Sequence, residues 1–153
     1  TQIGSVPSSD HFASVLITKP DNNCVIPFNK SFIIEFKYTN FEAGQFSNKD
    51  TEFLKFPQEI NTNGDIIGHF HITIQKIPSK NNVPDPKTFA FFTPLNYPPN
   101  STFTYQVPIP GLADEGIYRA CTYTTSRAHA GVNLASGDRG PIDDCIRFQV
   151  CKN

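Results

Sequence analysis

The stretch Leu112-Ala113-Asp114-Glu115-Gly116-Ile117-Tyr118-Arg119-Ala120-Cys121 decides the fold of this chain. Asp114, Gly116 and Tyr118 stand at steps of two, where a Pro- and Gly-containing segment gives way to a run of alternating character. Steps of two are the period of an extended strand, so Tyr118 and Ala120 share one face while Arg119 and Cys121 take the other. A tyrosine at such a corner can turn its hydroxyl back onto the backbone just upstream and pin the turn. Working outward, 31–38 alternates Phe32, Ile34, Phe36 and Tyr38 with Ser31, Ile33, Glu35 and Lys37. In 66–77, Phe70, Ile72 and Ile74 alternate with His69, His71, Thr73 and Gln75. Towards the end, Ile146, Phe148 and Val150 alternate with Cys145, Arg147, Gln149 and Cys151. This patterning argues for half-buried antiparallel strands.

The 13 prolines close off the helical alternative, because they interrupt most windows long enough for a helix. About seven strands are expected, over 13–19, 31–39, 66–77, 88–93, 102–109, 116–124 and 145–151. The one helical turn expected lies near 47–56, with Ser47 as its cap. The corner at Tyr118 resembles the turn into strand F of an immunoglobulin or fibronectin type III domain. The expected fold is therefore all-β, an immunoglobulin/fibronectin III-like two-sheet antiparallel β-sandwich. Residues 1–10 are expected to be a flexible segment and 11–153 a single domain. Antibody domains carry a core cysteine two residues after the tyrosine. Ala120 holds that place here, so their inter-sheet disulfide is not expected.

Two disulfides are expected nonetheless. In such a sandwich the first and last strands run parallel, so Cys24, after the first strand, and Cys151, at the end of the last, share one pole. Pairing them leaves Cys121 with Cys145 on neighbouring strands. Four cysteines allow three pairings, and spacing alone does not choose among them. Paired cysteines, the sequons at Asn29 and Asn100, and the absence of Met even at position 1 point to a processed, secreted, extracellular glycoprotein. A net charge of −1 argues against nucleic-acid binding by bulk electrostatics, and no apolar run reaches the length of a membrane span.

Function is expected in the loops 40–65 and 125–144, which leave the sandwich at one end. The second carries Arg127, His129, Asp138 and Arg139, candidates for contact with a protein partner. All four arginines fall between Arg119 and Arg147, where Asp138, Asp143 and Asp144 are available to pair with them. A second class of function rests on Gly68-His69-Phe70-His71. Histidines at i and i+2 share one strand face, about 7 Å apart. With His129 they make a candidate site for Zn²⁺ or Cu²⁺; otherwise no cofactor is expected. Catalysis is not expected: there is no Gly-x-Ser-x-Gly elbow, and adjacent Asp143 and Asp144 diverge on a strand. The absence of Trp weakens a sugar-binding reading. Segments 31–36 and 88–92 combine β-propensity with low charge, which allows self-association.

The set Asp10-His11-Phe12, Gly68-His69-Phe70-His71 with Ile74-Gln75, Phe89-Ala90-Phe91-Phe92, Tyr118-Arg119-Ala120-Cys121-Thr122 and the run from Arg139 to Phe148 resembles a group of small secreted basidiomycete proteins. Within that group the four-cysteine pattern is most similar to the rust transferred protein family, effectors secreted into infected plants. The resemblance implies a host protein or protease as partner, with protease inhibition and filament formation as the activities proposed for that family. Chagasin-type protease inhibitors share the expected fold, but their Asn-Pro-Thr-Thr-Gly loop is missing. Arg139-Gly140-Pro141 only distantly resembles their second motif.

Overall fold

The computed structural model describes residues 2–152. It contains nine strands: β1 (Ser14–Lys19), β2 (Val25–Pro27), β3 (Phe32–Thr39), β4 (Phe41–Glu42), β5 (Ile66–Ile77), β6 (Phe91–Leu95), β7 (Thr104–Ile109), β8 (Gly116–Ser126) and β9 (Cys145–Cys151). The helical content among the described residues is one 3₁₀ turn, Ser9–His11. Among the described residues, no helix is long and apolar enough to cross a membrane.

One sheet has the order β1-β3-β7; the other runs β2-β9-β8-β5-β4, with β6 also paired to β5. The long pairings are antiparallel, while the short β2 and β4 pair in parallel with β9 and β5. The alternation seen in the sequence sorts the side chains as expected. Ile34 and Phe36 of β3, Phe70, Ile72 and Ile74 of β5, and Tyr118 and Phe148 meet between the sheets. Phe36 stacks on Tyr105 at 5.2 Å and meets Phe70 of the opposite sheet edge-on at the same distance. Each such buried ring contributes roughly 1.5–3 kcal/mol through burial, with about 0.5–1.5 kcal/mol more from each aromatic pair. The corner bond is present: the Tyr118 hydroxyl donates to the Asp114 carbonyl at 2.9 Å.

Four expectations need correction. β2 and β4 are too short to produce a periodic signal, and both are absent from the expected strands. The strand expected at 88–93 lies at Phe91–Leu95 and includes Pro94. Proline is tolerated because β6 pairs with β5 alone among the described strands, so no ladder bond is lost on its open side. In place of a helix at 47–56 there is a single turn in which Glu52 N–H bonds Asn48 O at 2.7 Å. Asn48, not Ser47, caps it, its Oδ1 accepting from Asp50 N–H at 2.9 Å.

The fourth concerns the cysteines. Cys121 and Cys145 stand directly opposite on β8 and β9 and form a disulfide. Cys24 and Cys151 are free. β2 runs parallel to β9 with Val25 beside Gln149 and Pro27 beside Cys151. Cys24 is thus three residues out of step with Cys151, roughly 10 Å at the strand rise. A disulfide needs Cα atoms within about 7 Å.

Candidate metal centre

His69 and His71 lie on the outer face of β5, on either side of Phe70, which points into the core. That face would be open to water, yet His69 is fully buried. The loop between β4 and β5 folds over it. Close approach of β8 fixes the height of His69: a Cβ on Gly68 would collide with the Thr125 carbonyl and touch the Phe41 ring. In this register His69 faces Thr125 and His71 faces Tyr123.

The third histidine arrives from the turn after β8. Ser126 N–H bonds Ala130 O at 2.7 Å and His129 N–H bonds Ser126 O at 3.0 Å, closing a tight reversal. His129 takes φ 71°, in the left-handed region. Its ring swings back over the sheet to 4.8 Å from the His69 ring. The 40–65 loop holds it there. Ser47 N–H bonds Arg127 O at 3.0 Å and Leu54 N–H bonds Ala128 O at 2.9 Å. The two long loops do share one end of the molecule, and they are stitched together.

One ligand atom from each of His69, His71 and His129 lies within 4.8 Å of the other two. Two rings have their tautomers set by backbone carbonyls, which can only accept. His69 Nδ1–H donates to Gln45 O at 3.1 Å, leaving Nε2 bare. His129 Nε2–H donates to Ser47 O at 2.8 Å, leaving Nδ1 bare. The His71 Nε2 atom is 3.1 Å from His69 Nε2. Thr125 Oγ1, also 3.1 Å from that nitrogen, completes the surroundings. Tetrahedral ligands at zinc–nitrogen length are about 3.3 Å apart, so small ring rotations suffice to accommodate an ion. Carbonyls holding the far nitrogen of each ring are the usual outer support of metal-ligating histidines. Burial, together with repulsion from His71 and His129, pushes His69 down to about 4. Burial and His129 do the same to His71, also to about 4. At neutral pH both are therefore uncharged, the form that binds metal.

The cluster opens on one side into a cleft of about 1020 Å³. His71 and His129 line it, and its walls are Phe46 and Phe53 from the loop, Phe92 from β6 and Tyr123 from β8. Phe53 stacks on His129 at 5.8 Å, and Phe92 sits 5.1 Å from His71. Asn96 also lines the cleft, and its Oδ1 is buried without a hydrogen-bond partner among the described residues.

The three expected histidines are thus brought together; the expected partner residues are not. Arg127 donates to Glu59 at 2.8 Å and covers the Phe56 ring, so it serves to hold the loops. Asp138 and Arg139 are exposed, away from the cleft lining. The arginines do not pair with the nearby aspartates. Asp143 accepts from Thr122 and Thr124, Asp144 from Ile17 N–H, and Arg119 donates to Gln75. Both sequon asparagines, Asn29 and Asn100, are exposed. Missed in the sequence were the cleft walls and Asn96. The only hint was that Phe89 and Phe92 belong to an unusually aromatic run.

A family model described as the CLU5d N-terminal domain matches residues 15–151, a span that includes all three histidines. The chain is 32% identical over 154 residues to pathogenicity cluster 5 protein d of Colletotrichum graminicola, across 99% of this chain. It spans 32% of the length of that curated relative. No solved structure matches the chain. The fungal side of the resemblance is supported by these matches; the link to rust transferred proteins rests on the quoted residues alone.

Proposed function

The chain belongs to the CLU5d N-terminal domain family, and on that premise we propose that it is a secreted, metal-binding domain of a fungal pathogenicity-associated protein. The observation that carries the proposal is the meeting of His69, His71 and His129, with ligand atoms within 4.8 Å, at a place where two tautomers are already set for coordination. Three imidazoles suit Zn²⁺ or Cu²⁺ and leave a coordination position open. The Cys121–Cys145 bond and the exposed sequons support passage through an oxidising compartment. The strand order and the Tyr118 corner bond support an immunoglobulin-like reading of the sandwich.

A direct test uses chelator-stripped protein, equilibrated with Zn²⁺ or Cu²⁺, desalted and subjected to elemental analysis. One tightly held ion per chain is expected, and clearly less in His71→Ala and His129→Ala. An ion content indistinguishable between wild type and both variants would overturn the reading.

A second reading, recognition of a protein partner, is favoured by the exposure of Asp138 and Arg139 on a loop anchored at one end by Leu54 N–H to Ala128 O and at the other by Val15 N–H to Ile142 O. Cross-linking from a photoreactive residue placed at 138 tests it in host extracellular fluid. Absence of any product that Arg139→Glu abolishes would remove it.

A further inference from the structure

We infer that the cleft beside the histidine cluster binds a flat aromatic molecule carrying adjacent hydroxyls, of the catechol class, with one oxygen on the metal and its ring against Phe53 and Phe92. This rests on the metal-binding reading and names what the open coordination position is for. His69 is fully buried, whereas His71 and His129 line the cleft, so an incoming ligand reaches the ion only from that side.

The cleft selects the class by three features. First, its walls are aromatic and left unusually open: Phe46, Phe53, Phe92 and Tyr123 are each 46–56% exposed. Large rings exposed singly are ordinary. Four around one concavity mark a binding site for a flat apolar body. Second, the side-chain charges at the rim cancel, because Lys49 pairs with Asp50 at 3.2 Å. The bound cation would then be the one uncompensated charge, which suits a ligand that offers a single oxyanion. Third, Asn96 lines the cleft, and its Oδ1 is a buried acceptor with no donor among the described residues. Leaving such an atom unpaired is costly, and a ligand O–H relieves it.

A catechol monoanion meets all three requirements. One hydroxyl loses its proton to solvent and its oxygen ligates the metal. The neighbouring hydroxyl keeps its proton and donates to Asn96. The ring stacks on phenylalanine. A sugar diol has the same two oxygens, but its further hydroxyls need hydrogen-bond partners all round; Ser47, Asn48 and Thr73 also line the cleft, yet most of its exposed wall is apolar.

The test uses zinc-loaded, desalted wild-type protein titrated with 4-nitrocatechol, followed by visible absorbance and calorimetry, with zinc content measured before and after. Binding is expected with a spectral shift, at least about tenfold tighter than to the metal-free protein. Phe92→Ala and Asn96→Ala, which leave the ligating histidines in place, are each expected to weaken the probe about threefold or more without changing zinc content. Three outcomes would overturn the inference while sparing the metal site: zinc held but no probe bound, probe affinity unchanged in both variants, or equal displacement by a simple hexose. Protein that takes up no zinc would overturn both.

Discussion

The Nε2 atoms of His69 and His71 lie 3.1 Å apart, although their residues are two positions apart on one strand, where side chains start about 7 Å apart. The rings lean towards each other under the cover of the 40–65 loop. Two neutral imidazoles sharing a proton can do this; two imidazoliums cannot.

The metal-free protein should therefore lose stability in mild acid. Both histidines are held at about 4 when folded, against the ordinary 6.5 when unfolded. Between those values the unfolded chain binds more protons, so their contribution is complete above about pH 6.5 and is lost as pH falls through about 4. Urea midpoints measured at pH 7, 5.5 and 4 should fall more steeply in wild type than in His71→Gln.

Zinc affinity should distinguish the clustered histidines from the remaining one. His129→Ala is expected to weaken binding on the order of 100-fold, at or above the effect of losing an outer-shell partner. His11, bonded to Asp65 at 2.7 Å in another part of the molecule, is the control. His11→Ala should leave the calorimetric isotherm unchanged.

Tyr118→Phe removes the corner bond to Asp114 and little else, since Tyr118 stacks on Phe148 through its ring. A loss of about 1 kcal/mol is expected from chemical denaturation. An unchanged midpoint would mean that the corner is held by packing alone.

Gly68→Ala places a methyl group against the Thr125 carbonyl and the Phe41 ring. Backbone cannot yield cheaply there, so a loss of roughly 3 kcal/mol is expected. Because the same contact sets the height of His69, zinc affinity should fall with it. Ala in place of Gly137, which has open space around it, should do neither.

Thiol titration under denaturing, non-reducing conditions should find the two free cysteines, Cys24 and Cys151, and all four after reduction. Cys121→Ala/Cys145→Ala removes a bond across 24 residues, which is expected to cost about 3 kcal/mol.

Much of the fold could be read locally. β5 and β9 coincide with their expected bounds because a long alternating run is its own signal. β6 is displaced because Pro94 reads as a stop, and only its place at a sheet edge makes it acceptable. The turn at Asn48 fooled a capping argument because Ser47, the better-looking cap, is taken up by Arg127 O, 80 positions away. The histidine pair was legible, whereas its aromatic cleft was not. Phe46, Phe53, Phe92 and Tyr123 come from three separate segments, and nothing in their spacing says that they face one another.

The amino-acid sequence by itself determined that this protein is built of strands and that His69 and His71 share a face, because both follow from the two-residue period of extended backbone. It also placed Tyr118 at the corner it pins. Only the tertiary structure decided that His129 joins them and that Cys24 misses Cys151. Those outcomes depend on bonds between distant loops, on a left-handed residue at 129 and on the register of β2 against β9. Registers and loop contacts are settled by the free energy of the whole packed chain, and no short window of sequence contains it.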